Sequence, residues 1–376
     1  MRVKRENRPR TLAELAATLG VSPATVSNAF NRPDQLSKKL RQRILAAAAE
    51  AGYGGPDPTA RALSRGQRGA IGLVFTEQLA YAFSDPAAVL FLEGLARACE
   101  DAATGLLLIP VRAGEGDDGH NVQRAAVDGL ALYSLPDGDP SVAAALARGV
   151  PTVTIDQPQI PGAAFIGVDD RAAGRTALAH LLELGHRRVT VIAYRLTPER
   201  RSGEISRTSQ LTASYRTTRA KLRGYGDALE QFGLGWETLT FYESDSNDPA
   251  GGARAAGSIL AADGRPTAIL TDSDQLALGV LQAASDAGLR VPADLSVIGG
   301  DDIPAASIVT PGLTTIREPL VAKGEEAGRM LLEGRQARRI FPFELIVRGS
   351  TASPAPTKLA AKALHRRPPA RVPAPR

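Results

Sequence analysis

Apolar and polar positions along this chain follow two rhythms, one in the first fifty residues and another after residue 69. Leu12, Leu15, Ala16 and Leu19 fall at i, i+3, i+4 and i+7, one stripe of a helix. Thr11 and Glu14 can each satisfy a free backbone N–H of its first turn as a capping box, and Gly20 stops it. Ser22 then caps a second helix, with Pro23 at its first position, where a missing N–H does no harm. Its Val26 and Phe30 turn inward, which leaves Ala24, Thr25, Ser27, Asn28 and Asn31 to solvent. A third helix follows Ser37, with Leu40, Ile44 and Leu45 inward and Lys38, Lys39, Arg41 and Arg43 around it. Two short helices joined by a glycine-started turn and braced by a third form a helix-turn-helix, whose second helix lies in a DNA major groove.

From Ala70 the rhythm changes. Short apolar runs without alternation (AIGLVF, GLLLIP, GLALYSL, PTVTID, RVTVIAY, TAILTD, LSVIGG) are separated by helical stretches such as RAAGRTALAHLLELGH, ended by Gly185. Runs of this kind are strands of parallel sheets covered on both faces. The predicted body is α/β and long enough for two sheets.

Charge separates the same two regions. The net charge of +5 is the sum of a head (1–68) at +8, a body (69–350) at −9 and a tail (351–376) at +6. A basic head on an acidic body points to nucleic acid at one end and another partner in the body. A three-helix protein-binding module would show the same stripe, but the basic charge and the small polar residues of the second helix favour DNA. Cys99, the single cysteine, excludes an internal disulfide and a cysteine-built metal site and reads as a buried small hydrophobe. His180 and His186 are not at metal-ligand spacing. No G-x-G-x-x-G follows the first strand and no P-loop signature occurs, so no cofactor and no catalytic or metal site is expected. No run of about 20 apolar residues exists to span a membrane, and the first apolar segment after the charged start, interrupted by Glu14, is too short and periodic for a signal peptide; a cytoplasmic protein is expected.

The blocks TLAELAATLGVSPATVSNAFN, LRQRILAAAAEAGY and ARALSRGQRGAIGLVF, in that order, resemble the LacI/GalR family of bacterial transcription regulators, and the similarity runs from about residue 10 to about 350. The resemblance implies a recognition helix over Ser22–Asn31 and a hinge helix at 57–65 that enters the minor groove of a palindromic operator bound by a homodimer. Thr11, Ser22, Pro23, Ala24, Thr25, Ser27, Asn28 and Asn31 are then the DNA-facing residues of the head. Asn28 stands where many relatives carry a guanine-reading arginine, and an asparagine amide suits the N6 and N7 of adenine. In the hinge, Asp57 caps, Pro58 starts and Gly66 ends about two turns of helix, which are marginal alone and are expected to fold on DNA. Arg61 and Arg65 meet phosphates there, and Leu63 is an apolar wedge between base pairs.

For the body the resemblance implies two periplasmic-binding-protein-like subdomains joined by three crossovers, with a ligand cleft between them. Carried over residue by residue, the effector-binding set is Tyr81, Phe83, Asp156, Arg219, Lys221, Ser273 and Asp301. Lys221 replaces the usual arginine, and Ser273 a frequent asparagine. The expected organisation is a basic arm (1–10), a DNA-binding domain (11–56), a hinge and linker (57–68), a first subdomain (69–168 plus 318–336), a second (169–317 plus 337–350) and a disordered basic tail (351–376). The polar, breaker-rich stretch 196–215 reads as a mobile loop over the cleft. The resulting expectation is a repressor, not an enzyme, whose operator affinity is set by a small-molecule effector, a sugar or nucleoside. A binding protein without DNA activity and an α/β enzyme stand as alternatives; the basic head and hinge argue against the first, and the lack of a nucleophile–base pair or cofactor loop against the second.

Overall fold

The computed structural model describes residues 11–55, 68–75, 79–111 and 119–355, the last apart from positions 195, 198, 200, 207, 208 and 211. The arm 1–10, the hinge residues Arg61, Leu63 and Arg65, and positions 356–376 of the tail lie outside the described residues. The chain divides into two compact units, Met1–Gly69 and Ala70–Arg376.

In the first unit, α1 (Leu12–Leu19), α2 (Pro23–Asn31) and α3 (Lys38–Ala51) pack around Leu15, Ala16, Val26, Ala29, Ile44 and Ala48. The caps are those the spacing predicts. Thr11 Oγ1 accepts from the Glu14 N–H at 3.2 Å while the Glu14 carboxylate accepts from the Thr11 N–H at 3.3 Å, and Ser22 Oγ accepts from the Thr25 N–H at 3.1 Å. Phe30 is only partly buried, edge-on to Tyr53, and Ala29 takes the deeper place on that face.

The second unit is built from two sheets. The first has order β12-β5-β4-β3-β1-β2 and is parallel throughout: β1 (Ala70–Phe75), β2 (Gly105–Pro110), β3 (Gly129–Tyr133), β4 (Thr152–Ile155), β5 (Ala164–Val168) and β12 (Arg338–Phe341). The second has order β13-β11-β10-β9-β6-β8-β7: β6 (Val189–Tyr194), β7 (Gly203–Glu204), β8 (Leu239–Ser244), β9 (Ala268–Thr271), β10 (Ser296–Asp301), β11 (Thr314–Arg317) and β13 (Glu344–Ile346), with only β7 and β13 antiparallel to their neighbours. Apart from these edge strands, each sheet repeats the doubly wound order in which the first strand lies between the second and the third. Both therefore place a switch point, and hence a crevice, at the carboxyl ends of their strands.

The helices that cover the sheets approach one another through glycine. A Cβ on Gly94 of α5 (Pro86–Asp101) would stand 1.9 Å from the Val321 carbonyl oxygen of α13 (Leu320–Glu333). One on Gly224 of α9 (Arg216–Gln231) would stand 2.0 Å from the Arg171 oxygen of α8 (Asp170–Glu183). The chain passes between the halves three times, from β5 to α8, from β11 to α13 and from β12 to β13. The last passage corrects the expected boundary. Arg338–Phe341 pairs with β5 in the first sheet, so 337–341 do not belong with the second half; the segment RRIF is too short and too basic to be seen as a strand. The stretch 196–215 also departs from expectation in its described part. Leu196 and Ala213 are buried together with Ala193, the Ser214 N–H donates to the Leu196 oxygen at 2.6 Å, and β7 adds to the sheet edge.

Candidate functional site

The register of the strands makes the cleft. Phe75 lies level with Tyr133, and Tyr133 with Ile155, so Ser134 and Asp156 emerge side by side where β3 and β4 end. In the other sheet Tyr194, Asp272 and Asp301 leave β6, β9 and β10 on the matching edge. The two edges enclose a cleft of ≈ 180 Å³ lined by Phe75, Tyr81, Asp85, Tyr133, Asp156, Gln157, Asp170, Tyr194, Tyr215, Thr218, Lys221, Asn247, Asp272, Ser273, Asp301 and Glu318, among others. The backbone is strained here: Ser134, Asp156 and Asp301 hold φ of 54°, 63° and 99°, conformations that cost on the order of 1–3 kcal/mol for a residue with a Cβ and that gather at functional sites.

Of the expected cleft residues, the structure brings together Tyr81, Asp156, Lys221, Ser273 and Asp301. It leaves out two. Phe83 points to solvent, 65% exposed, from the short helix α4 (Tyr81–Ser84). Arg219 is one residue off the face of α9 that carries Thr218 and Lys221; it pairs instead with Asp137 and the Ala213 carbonyl. Asp85, Gln157, Asp170, Asn247, Asp272, Glu318 and the tyrosines Tyr133, Tyr194 and Tyr215 were not foreseen. An acid or amide just past several of the parallel strands was the available signal, since IDQ, VDD, LTDSD, GGDD and REP all end strands of the two sheets.

Charge in the cleft is dense and ordered. Lys323, completely buried on α13, donates from Nζ to Asp156 Oδ1 at 2.7 Å and to Glu318 Oε2 at 2.8 Å. Burial would raise the Glu318 carboxyl, but the Lys323 ammonium holds it below its usual range. Burial, then Glu318 and Asp156, pushes Asp170 up to about 7. Burial opposes the charge of Lys221, yet Asp272, Tyr225 and Asp170 raise its pKa above the usual lysine value; its Nζ lies 3.4 Å from Asp272 Oδ1. Asp301 is pushed well up by burial and then by Glu318 and Asp274, and its carboxyl has no hydrogen-bond or ion-pair partner among the described residues.

Polar links tie the two walls. The Gln157 Oε1 accepts from the Thr217 N–H at 3.0 Å and Asn247 Nδ2 donates to the Tyr81 hydroxyl at 2.8 Å, while within the second wall Ser273 Oγ donates to Asn247 Oδ1. Such a cleft can orient a small molecule through hydroxyl and amine donors against acidic acceptors, with tyrosine faces to stack on. Among the described residues no group of His, Cys, Asp and Glu is placed to hold a metal ion, and no helix is long and apolar enough to cross a membrane.

In the head, Ser22, Pro23 and Ala24 are exposed, while Thr25, Ser27, Asn28 and Asn31 are partly covered. Asn28 Nδ2 donates to Gln35 Oε1 at 3.2 Å, and Asn31 Nδ2 donates to the Ser27 carbonyl at 3.0 Å. Thr11, at the cap of α1, is exposed. Arg41 Nε is committed to the Ala29 carbonyl at 3.2 Å.

Comparison with known proteins follows this division. Residues 11–55 match the model for bacterial regulatory proteins of the lacI family, and residues 178–351 match the periplasmic binding protein-like domain. The chain is 41% identical over 354 residues to the HTH-type transcriptional regulator Rv3575c of Mycobacterium tuberculosis, covering 92% of this chain and 98% of that protein. It is 31% identical over 332 residues to the ribose operon repressor of Escherichia coli K12, covering 86% and 92%. Among solved structures it is similar to the lac repressor dimer bound to operator and the anti-inducer ONPF (TM-score 0.73, 27% identity, 92% and 99% covered) and to a LacI family transcriptional regulator from Corynebacterium glutamicum (TM-score 0.70, 35%, 91% and 98%).

Proposed function

The chain belongs to the lacI family of bacterial regulatory proteins and is a transcriptional regulator; from that premise we propose that it is a repressor whose operator affinity is controlled by a sugar- or nucleoside-like effector in the cleft between its two α/β halves. The observation that carries this reading is the cleft itself, where the carboxyl ends of both sheets converge on acidic and tyrosine side chains in a chain that also carries a helix-turn-helix. A homodimer sets two recognition helices on a palindromic operator. Ser22, Pro23, Ala24, Thr25, Ser27 and Asn31 present the contact surface, with Thr11 at its edge, and Asn28 turns from Gln35 to an adenine edge. In the hinge, Arg61 and Arg65 bind phosphates and Leu63 wedges the central base step. Such a regulator works in the cytoplasm, where its DNA is. The relatives are named as transcriptional regulators and repressors, a role that requires no catalysis.

A mobility-shift selection on a randomised duplex library, repeated with sugars and nucleosides, tests the reading. The expected result is one palindromic sequence whose retention changes with one class of compound. Selection of no sequence, or retention indifferent to a compound shown to bind the protein, overturns it.

A further inference from the structure

We propose that Asp170 sets the charge selectivity of the cleft, so that the effector is a polyhydroxylated compound, uncharged or amine-bearing, and its phosphorylated or carboxylated analogues are rejected. This rests on the reading of the cleft as the effector site and narrows its ligand class. The cleft is lined by six carboxyl side chains (Asp85, Asp156, Asp170, Asp272, Asp301 and Glu318), and Lys221 is the one cation in its described lining. Lys323, behind the wall, is spent on Asp156 and Glu318.

Arg216, the first residue of α9, is a further cation near the strand ends. It lies over the Phe165 ring, 5.7 Å from its centre, and its Nη1 is 3.3 Å from both Asp170 Oδ2 and the Asp156 carbonyl. Asp170 belongs to the lining and Arg216 does not, so the carboxylate stands between the guanidinium and the ligand space. It neutralises a group able to grip a phosphate or carboxylate by a planar fork. Burial chiefly pushes Asp170 up to about 7, and the negative charges of Glu318 and Asp156 add to that shift; an anionic ligand would add to those charges. The unpartnered Asp301 and the raised carboxyls offer acceptors and shared protons to hydroxyl or amine donors.

The test uses full-length protein at pH 8, where Asp170 is mostly ionised, and thermal-shift titration without DNA. The panel is a set of sugars and cyclitols, each with its phosphate monoester and its amine, such as glucose, glucose 6-phosphate and glucosamine. At least one neutral or amine member is expected to bind, with its phosphate ester weaker on the order of 10- to 100-fold, as like charges at short range require. Asp170→Asn keeps the shape, removes the charge and frees Arg216; it should narrow that gap about tenfold, and Asp170→Asn combined with Arg216→Gln should restore it. An ester that binds unsubstituted protein as tightly as its parent overturns the proposal, as does binding of no neutral or amine member. So does an unchanged gap in a folded Asp170→Asn protein. If that variant does not fold, the gap in unsubstituted protein decides alone. A compound that binds with the expected selectivity yet leaves operator retention unchanged would sink the regulatory reading and leave the charge selectivity standing.

Discussion

Replacing Lys323 by methionine removes a charge from a fully buried position of the body while keeping much of the side-chain volume. Lys323 is 0% exposed and holds Asp156 and Glu318, whose side chains are only 17% and 16% exposed. Without it, two carboxylates in a poorly hydrated site lose their hydrogen-bonded counter-charge and keep only the weaker influence of Lys221. Removal of one partner from a buried ion pair costs about 3–5 kcal/mol, and this lysine serves two acids, so the loss at pH 8 should reach that range. The sign of its pH dependence follows from the same groups. Lys323 holds the Glu318 carboxyl down against a burial that would raise it, so in the variant both acids rise and shed their charge as pH falls. The destabilisation should shrink toward pH 5. Urea unfolding of both proteins at pH 8 and pH 5 measures it. Lys323→Met combined with Asp156→Asn and Glu318→Gln should recover most of the loss, because a neutral cluster leaves no unpaired charge. A loss below about 1 kcal/mol at pH 8, or the same loss at both pH values, would refute the argument.

Asp301→Asn should weaken an effector by about 2- to 10-fold, the roughly 0.5–1.5 kcal/mol net of a hydrogen bond, with operator affinity nearly intact; equal affinities by calorimetry would make Asp301 a structural residue. Asp170 and Asp274, both pushed to about 7 chiefly by burial, bind protons in the fold that the unfolded chain has released above about pH 4. Their contribution therefore falls as pH rises between about 4 and 7, and the melting temperature should drop from pH 5 to pH 8, less so in the double Asn variant; an identical drop in both proteins rejects these two groups as its source. Gly94→Ala, whose Cβ would meet the Val321 backbone at 1.9 Å, should cost at least about 1–3 kcal/mol of overpacking, whereas Gly257→Ala, with open space around it, should be neutral or stabilising in the same melt. Asn28→Ala should relax preference at one base pair of each half-site by about 1–3 kcal/mol, and identical selected sequences in variant and parent would remove Asn28 from the readout.

Local chemistry made the head legible: Thr11, Ser22, Pro23 and Gly20 each act within four residues of themselves, so their caps could be read directly. The buried parallel strands were visible for the same reason, as apolar runs such as AIGLVF and TAILTD. β12 was not, because RRIF is exposed along most of its length and is a strand only through pairing with β5, some 170 residues earlier. The cleft was half legible. Asp156 and Asp301 follow strands that the pattern reveals, and Lys221 came from family resemblance. Phe83 was misplaced because stacking capacity says nothing about which side of a single helical turn faces the cavity. Arg219 was misplaced by the 100° turn that separates neighbours on a helix. Lys323 had no local signature at all: a lysine on an amphipathic helix reads as surface until the fold buries it beside two acids.

The distribution of apolar contacts explains how such a cleft can act as a switch. The large cores stay within one half each: Ile71, Leu73, Phe91 and Ile166 in the first, and Val191, Leu229, Ile269 and Val297 in the second. What crosses between the halves includes a small cluster around Ala87, Ile303 and Leu320 and polar links such as Gln157–Thr217, Tyr81–Asn247, Arg216 to the Asp156 carbonyl and Asp137–Arg219. Each hydrogen bond contributes only about 0.5–1.5 kcal/mol net, and the half-exposed Asp137–Arg219 pair about 0–1 kcal/mol. Two arrangements of the halves can therefore differ by a few kcal/mol while each half stays intact. Moving such an equilibrium from 1:99 to 99:1 takes about 5.5 kcal/mol of differential affinity, which a handful of charged hydrogen bonds made only in the closed cleft can supply. A ligand that met one wall alone, however tightly, would shift nothing; the acids that bind it have to come from both sheets, as Asp156 and Asp301 do.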